Sequence, residues 1–175
     1  MGRGARMTKR AYGKFARSPA DDYATPRSAL EPLLPFLDKA VPIIEPCPGD
    51  GRLHSLLERA GFIVTSHARD ARDEQYPDPR IFVTNPPWSR ELLHPIIENL
   101  SNQAPTWLLF DADWAHTAQS IPYLLRLTDI VSIGRVKWMP SSESVGYDNA
   151  CWYRFGLPRM SGLDEIIFHG RKKLL

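Results

Sequence analysis

Four strand-favouring residues, Ile81-Phe82-Val83-Thr84, run straight into Asn85-Pro86-Pro87-Trp88, and this junction restricts the possible folds of the chain more than any other stretch. The tandem prolines fix φ near its extended value, remove two backbone donors and hold Asn85 away from the helical region. The chain therefore leaves a strand through a rigid rim that displays carbonyl acceptors, an amide and an indole. Ligands of open α/β sheets bind at the carboxyl ends of strands, where this rim falls.

A second strand-to-turn junction lies upstream. Val41-Pro42-Ile43-Ile44 reads as a brief buried strand ending in Glu45-Pro46-Cys47-Pro48-Gly49-Asp50-Gly51. Leu53, Leu56, Leu57 and Ala60 then recur at helical spacing, and Gly61 stands where a left-handed cap belongs. Such a glycine turn lets backbone approach a ligand closely, and the helix start offers unpaired amide donors, which suits a nucleotide-like ligand. No glycine follows Gly51 at the offset of the dinucleotide fingerprint, which disfavours a hydride-transfer enzyme. Phe62 to Thr65 is the next expected strand. An acid at its end would bind ribose hydroxyls, but Ala68 or its neighbours occupy that position, leaving Asp70 as the candidate.

The remaining elements complete a sheet. Pro32 and Pro35 predict a short or kinked helix over Ser28 to Leu37, and the charged, proline-containing segment from Arg69 to Arg80 reads as a loop in place of a third αβ unit. Ser89 is the expected N-cap of a helix through about Asn99, kinked at Pro95. Thr106 to Phe110 reads as a fully buried strand, followed by a helix through Tyr123 to Leu127 disturbed by Pro122. Asp129 to Trp138, Ala150 to Phe155 and Glu165 to Phe168 are closely spaced and strand-like, predicting antiparallel strands that finish a mostly parallel sheet. At 175 residues and 43% hydrophobic content, a single core is expected.

The net charge of +2 hides an asymmetry. Residues 1 to 17 carry six basic side chains and no acid, which leaves 16 basic against 20 acidic residues and a body near −4. The basic arm suits contact with nucleic-acid phosphates, whereas the acidic body does not by itself argue for nucleic acid. Cys47 and Cys151 lack zinc spacing and read as reduced and buried, and the five histidines have no metal-like spacing. With no apolar run near membrane-spanning length and no secretory h-region, a soluble intracellular protein is expected.

Thr25-Pro26, Glu45-Pro-Cys-Pro-Gly-Asp-Gly and Asn85-Pro-Pro-Trp resemble the three motifs of S-adenosylmethionine-dependent amino-methyltransferases, in the order of gamma-type DNA adenine-N6 enzymes. Residues from Val131 to Trp138 and Gly146 to Tyr153 resemble the small phage and prophage members, so the similarity covers roughly residues 21 to 156. The resemblance implies a Rossmann-like class I α/β fold, with a flexible basic tail over residues 1–20 and one methyltransferase domain over 21–175 without a separate target-recognition domain. It implies catalysis by Asn85, Pro86, Pro87 and Trp88: Asn85 Oδ1 and the Pro86 carbonyl accept hydrogen bonds from the exocyclic amine, and Trp88 stacks on a base that has left the duplex. Tyr23, Thr25, Glu45, Cys47, Gly49, Gly51 and Asp70 would hold S-adenosyl-L-methionine. Arg135, Lys137, Trp138 and Asn149, around the Ser141 to Asn149 hairpin, would meet DNA with loose or short sequence recognition. No metal or general base is required, and a bacterial or phage-infected cytoplasm is the implied location. RNA or a protein glutamine is the alternative acceptor, cytosine-N4 enzymes more often carrying Ser in place of Asn85. An inactive nucleic-acid-binding relative is the alternative of a different class.

Overall fold

The computed structural model describes residues 24–67, 69–138, 146, 148–159 and 165–171. The basic tail, Tyr23, Ala68 and most of the hairpin expected between Ser141 and Asn149 lie outside them. Helix α1 (Arg27–Leu30) and a 3-10 turn (Leu34–Phe36) precede β1 (Ile43–Glu45), α2 (Arg52–Arg59), β2 (Val64–Ser66) and β3 (Ile81–Thr84). Then follow α3 (Arg90–Gln103), β4 (Thr106–Asp111), two 3-10 turns, α4 (Ile121–Leu124), β5 (Leu127–Arg135), β6 (Asn149–Phe155) and β7 (Ile167–His169).

Among the described residues these strands form one seven-stranded sheet in the order β2-β1-β3-β4-β6-β5-β7. Strands β2, β1, β3 and β4 run parallel to one another, and β6 pairs antiparallel with both β4 and β5. The expected antiparallel finish is therefore present, while β7 adds to β5 in parallel. Alternation along the central strands buries both faces, as a sheet covered by helices requires. Trp107, Leu109 and Trp152 face Leu53 and Leu57 of α2, whereas Leu108, Phe110 and Tyr153 face Leu93, Ile97 and Leu100 of α3.

Several boundaries differ from the expected ones for identifiable reasons. The segment after Ser28 divides into α1 and the 3-10 turn, Pro35 falling in the turn's first positions. Gly61 takes φ +90 and ends α2 as expected, but Phe62 is buried against the core and β2 begins only at Val64. Ser89 holds the N-cap position of α3 without a side-chain capping bond, and the helix passes Pro95 and Asn99 to end at Gln103. Tyr123 to Leu127 is not one helix: Pro122 sits in the first turn of α4, which ends at Leu124, and buried Leu127 pairs with Phe155 to open β5. The loop between β2 and β3 does replace an αβ unit, and α3 fastens it. Asn99 Nδ2 donates to the carbonyls of Ala71 and Glu74 at 3.1 and 2.9 Å, and the Tyr76 amide donates to Gln103 Oε1 at 2.9 Å.

Candidate active site

The strand ends of β1 and β3 are adjacent because these strands pair directly, Ile44 opposite Phe82. Their turns are joined just beyond the ladder by Thr84. Its hydroxyl accepts the Cys47 amide at 3.2 Å and donates to the Cys47 carbonyl at 3.4 Å. The turn then closes on itself through Gly51 N–H to Pro48 O at 2.7 Å. Gly51 takes φ +77 as the residue preceding α2, a conformation that costs other residues roughly 1 kcal/mol or more.

A polar cavity of about 30 Å³ opens at this junction, lined by Thr25, Glu45, Cys47, Gly49, Asp50 and Asn85 among others. A cavity of that volume admits only a small polar group. An open groove bordered by Arg27, Gly51, Arg52 and Ser55 adjoins it and shares Asp50. Three sequence segments far apart in the chain thus meet at one place.

Glu45 is the least exposed polar group there, at 1%. Burial pushes its carboxyl up to about 7, against the opposing hydrogen bond from Ser66; nearby Asp50 pushes in the same direction as burial. Ser66 Oγ donates to Glu45 Oε2 at 3.0 Å and lies 2.7 Å from His54 Nδ1. A serine already donating to the carboxylate has only its oxygen left for the ring, so Nδ1 supplies that hydrogen. Neither Ser66 nor His54 was apparent as a site residue from sequence. The signal was their placement at the end of the second strand and on the first turn of α2. Cys47 is half-buried, and burial raises its thiol to about 12, while its amide donates to and its carbonyl accepts from the Thr84 hydroxyl.

Asp70 is not among the cavity's lining residues. It lies exposed in the loop after β2 and is held by Arg72, whose Nε donates to Oδ1 at 2.8 Å and draws the carboxyl down to about 2. Asn85 lines the cavity and continues into Pro86, Pro87 and Trp88, with Pro86 buried and the other three half-buried. The Trp88 indole donates to Asn85 Oδ1 at 3.1 Å, and its ring meets Trp138 edge-on, with centroids 5.4 Å apart and planes at 82°. Arg90 holds the stretch from behind, pairing with Asp111 at 2.9 Å while donating to the Trp88 carbonyl at 3.3 Å. Of the residues expected to meet a substrate, Trp138 reaches Trp88. Arg135 and Asn149 face each other across β5 and β6 and are exposed, as is Lys137. Among the described residues no group of three or more His, Cys, Asp or Glu side chains converges to hold a metal, and no helix is long and apolar enough to cross a membrane.

No family model matches the sequence, and no curated protein does. Solved structures match in fold. A protein of Pyrococcus horikoshii put forward as an RNA methyltransferase superposes with a TM-score of 0.54 at 13% identity, over 78% of this chain and 88% of that one. Phosphoethanolamine N-methyltransferase 2 of Haemonchus contortus, in complex with S-adenosyl-L-methionine, gives 0.50 at 10% identity, over 79% of this chain and 40% of that one. A dimethyladenosine transferase of Plasmodium falciparum gives 0.49 at 12% identity over 78% of this chain, which spans 63% of its length. The fold is that of the class I Rossmann-like methyltransferases.

Proposed function

We propose that the chain transfers a methyl group from S-adenosyl-L-methionine to the N6 amine of adenine in DNA, on a base that is single-stranded or flipped out of the duplex. The observation that carries this reading is the convergence of Thr25, Glu45, Gly49 and Asn85 on one cavity at the carboxyl ends of β1 and β3. A buried carboxyl lining the cavity, beside its bond from Ser66, suits a cationic ammonium, and the left-handed turn at Gly49 and Gly51 gives the backbone room beside a nucleoside. When bound, S-adenosylmethionine supplies an electrophilic methyl on a sulfonium.

The chain's own residues act on the acceptor. An exocyclic amine is a weak nucleophile because its lone pair is delocalised into the ring. Asn85 Oδ1 and the Pro86 carbonyl accept its hydrogens as the nitrogen pyramidalises, and fixed acceptors need no reorganisation as positive charge develops. The proton leaves to solvent after transfer. The raised Cys47 thiol supports direct transfer over a covalent cysteine route. Trp88 and Trp138 supply the aromatic surface for the extruded base, and Arg135, Lys137 and Asn149 the polar surface beside it.

RNA is the second reading, favoured by the fold shared with the Pyrococcus protein put forward as an RNA methyltransferase. Incubation with labelled cofactor and separate pools of duplex DNA, single-stranded DNA, RNA and protein distinguishes these acceptors, and mass spectrometry of digested nucleosides names the methylated atom. Asn85→Ala is expected to lower transfer by ~100-fold or more. Full activity in that variant would refute the assigned role.

A further inference from the structure

Asn85, which lines the cavity, and Trp88 are bonded to each other. The indole Nε1 donates to Asn85 Oδ1 at 3.1 Å across the two prolines, closing Asn85-Pro-Pro-Trp88 into a ring of side chains on a stiff backbone. An indole N–H donates and cannot accept, whereas a side-chain amide carries an acceptor at one end and two donors at the other. Only one of the two amide orientations is compatible with that neighbour: the one presenting oxygen. Trp88 is itself held by Trp138 against its ring and by Arg90 on its carbonyl.

We infer that Trp88 is a positioning residue for Asn85, its N–H selecting the amide orientation that presents Oδ1 as acceptor to the substrate amine. The inference rests on the amine-methylation reading above and goes beyond the use of Trp88 as a stacking surface. With the amide reversed, its NH2 would confront the substrate NH2, donor against donor. An amide oxygen has two acceptor positions, so the indole and the amine can bond to it together.

The chemistry supplies its own control. A carboxylate presents oxygen in either orientation, so Asn85→Asp makes position 88 indifferent to the N–H while keeping an acceptor. Trp88→Phe retains an aromatic face and deletes the donor together with part of the ring's bulk against Trp138, a packing loss common to both backgrounds. In the native background Trp88→Phe is expected to lower kcat by ~10-fold with KM within ~3-fold, and in the Asn85→Asp background the loss of kcat is expected to be smaller by ~5-fold, the difference reporting the N–H. Equal losses in both backgrounds would overturn the inference in favour of stacking alone. A second readout needs no turnover. In the 15N–1H correlation spectrum of the full chain, Trp88→Phe identifies the Trp88 indole signal, whose exchange with solvent is expected to be slow and to accelerate in Asn85→Ala. Unchanged exchange overturns the inference whether or not the chain methylates anything. If methyl transfer fails on every acceptor, the proposed function falls and the exchange result alone decides the pairing.

Discussion

Glu45 ends β1 with a carboxyl that burial lifts to about 7, and this single group couples the site to pH. Because its folded value stands above its ordinary one near 4.5, the folded state binds the extra proton. Its stabilising contribution is complete below about 4.5 and is lost as pH rises through about 7, a change on the order of 3 kcal/mol at most. Glu45→Gln is therefore expected to be more stable than the native chain at pH 8 and to have a flatter stability profile between pH 5 and pH 8. Denaturant titrations at both pH values measure this, and parallel profiles would contradict it. A cation in the cavity favours the carboxylate, so cofactor binding near neutral pH should release protons. Calorimetry in buffers of different ionisation enthalpy reads that directly. Glu45 was legible in sequence as the last residue of a strand before a glycine turn, but its hydrogen-bond chain was not, because Ser66 and His54 meet it only after β2 pairs with β1.

At the scale of elements, local chemistry decided what could be read in advance. Proline fixes its own φ and glycine permits positive φ whatever surrounds them, so the turns after β1 and β3 were foreseeable. Leu127 was not, because an isolated apolar residue fits a helix face or a strand face equally well until a partner strand claims it. The loop after β2 was recognisable by composition, yet its anchors were hidden, the Asn99 bonds spanning 28 and 25 residues. Asn99→Ala would take the Asn99 donor from the Ala71 carbonyl and leave the Glu74 carbonyl with the 3.0 Å bond from Gln103 Nε2, and a loss of about 1–2 kcal/mol is expected, read as a lower denaturant midpoint at unchanged slope. The segment after β5 makes a sharper test. The Gly146 amide donates to the Val136 carbonyl at 2.9 Å, and a Cβ at Gly146 would lie 2.8 Å from that oxygen and 3.2 Å from Trp138 Cδ1. Gly146→Ala should therefore displace Trp138 from Trp88 and weaken acceptor binding with cofactor affinity preserved. A matched loss of cofactor affinity would show that the change spreads beyond this corner.

At the scale of the whole sheet, a strand order among the described residues of 2-1-3-4-6-5-7 with β6 inserted antiparallel places the turns after β1 and β3 at one end, beside the β5–β6 end that carries Arg135 and Asn149. The order followed from the sequence only in outline: parallel αβ units first and close-spaced strands last. The pairing of β7 with β5 depends on contacts that no local pattern encodes, including Asp129 between His169 at 3.1 Å and Arg154 at 3.5 Å. The site was legible to the extent that its parts lie at strand ends, since topology delivers strand ends to a common edge. Asp70, in a loop beyond its strand, was not delivered to the cavity. The central claim concerns what that edge does. The direct test is to incubate the chain with isotopically labelled S-adenosylmethionine and single-stranded DNA, then quantify labelled N6-methyladenine by mass spectrometry, in parallel with Asn85→Ala. The account predicts labelled N6-methyladenine from the native chain and a fall of ~100-fold or more in the variant. Label on another atom or in another pool, or an undiminished yield from Asn85→Ala, would contradict it.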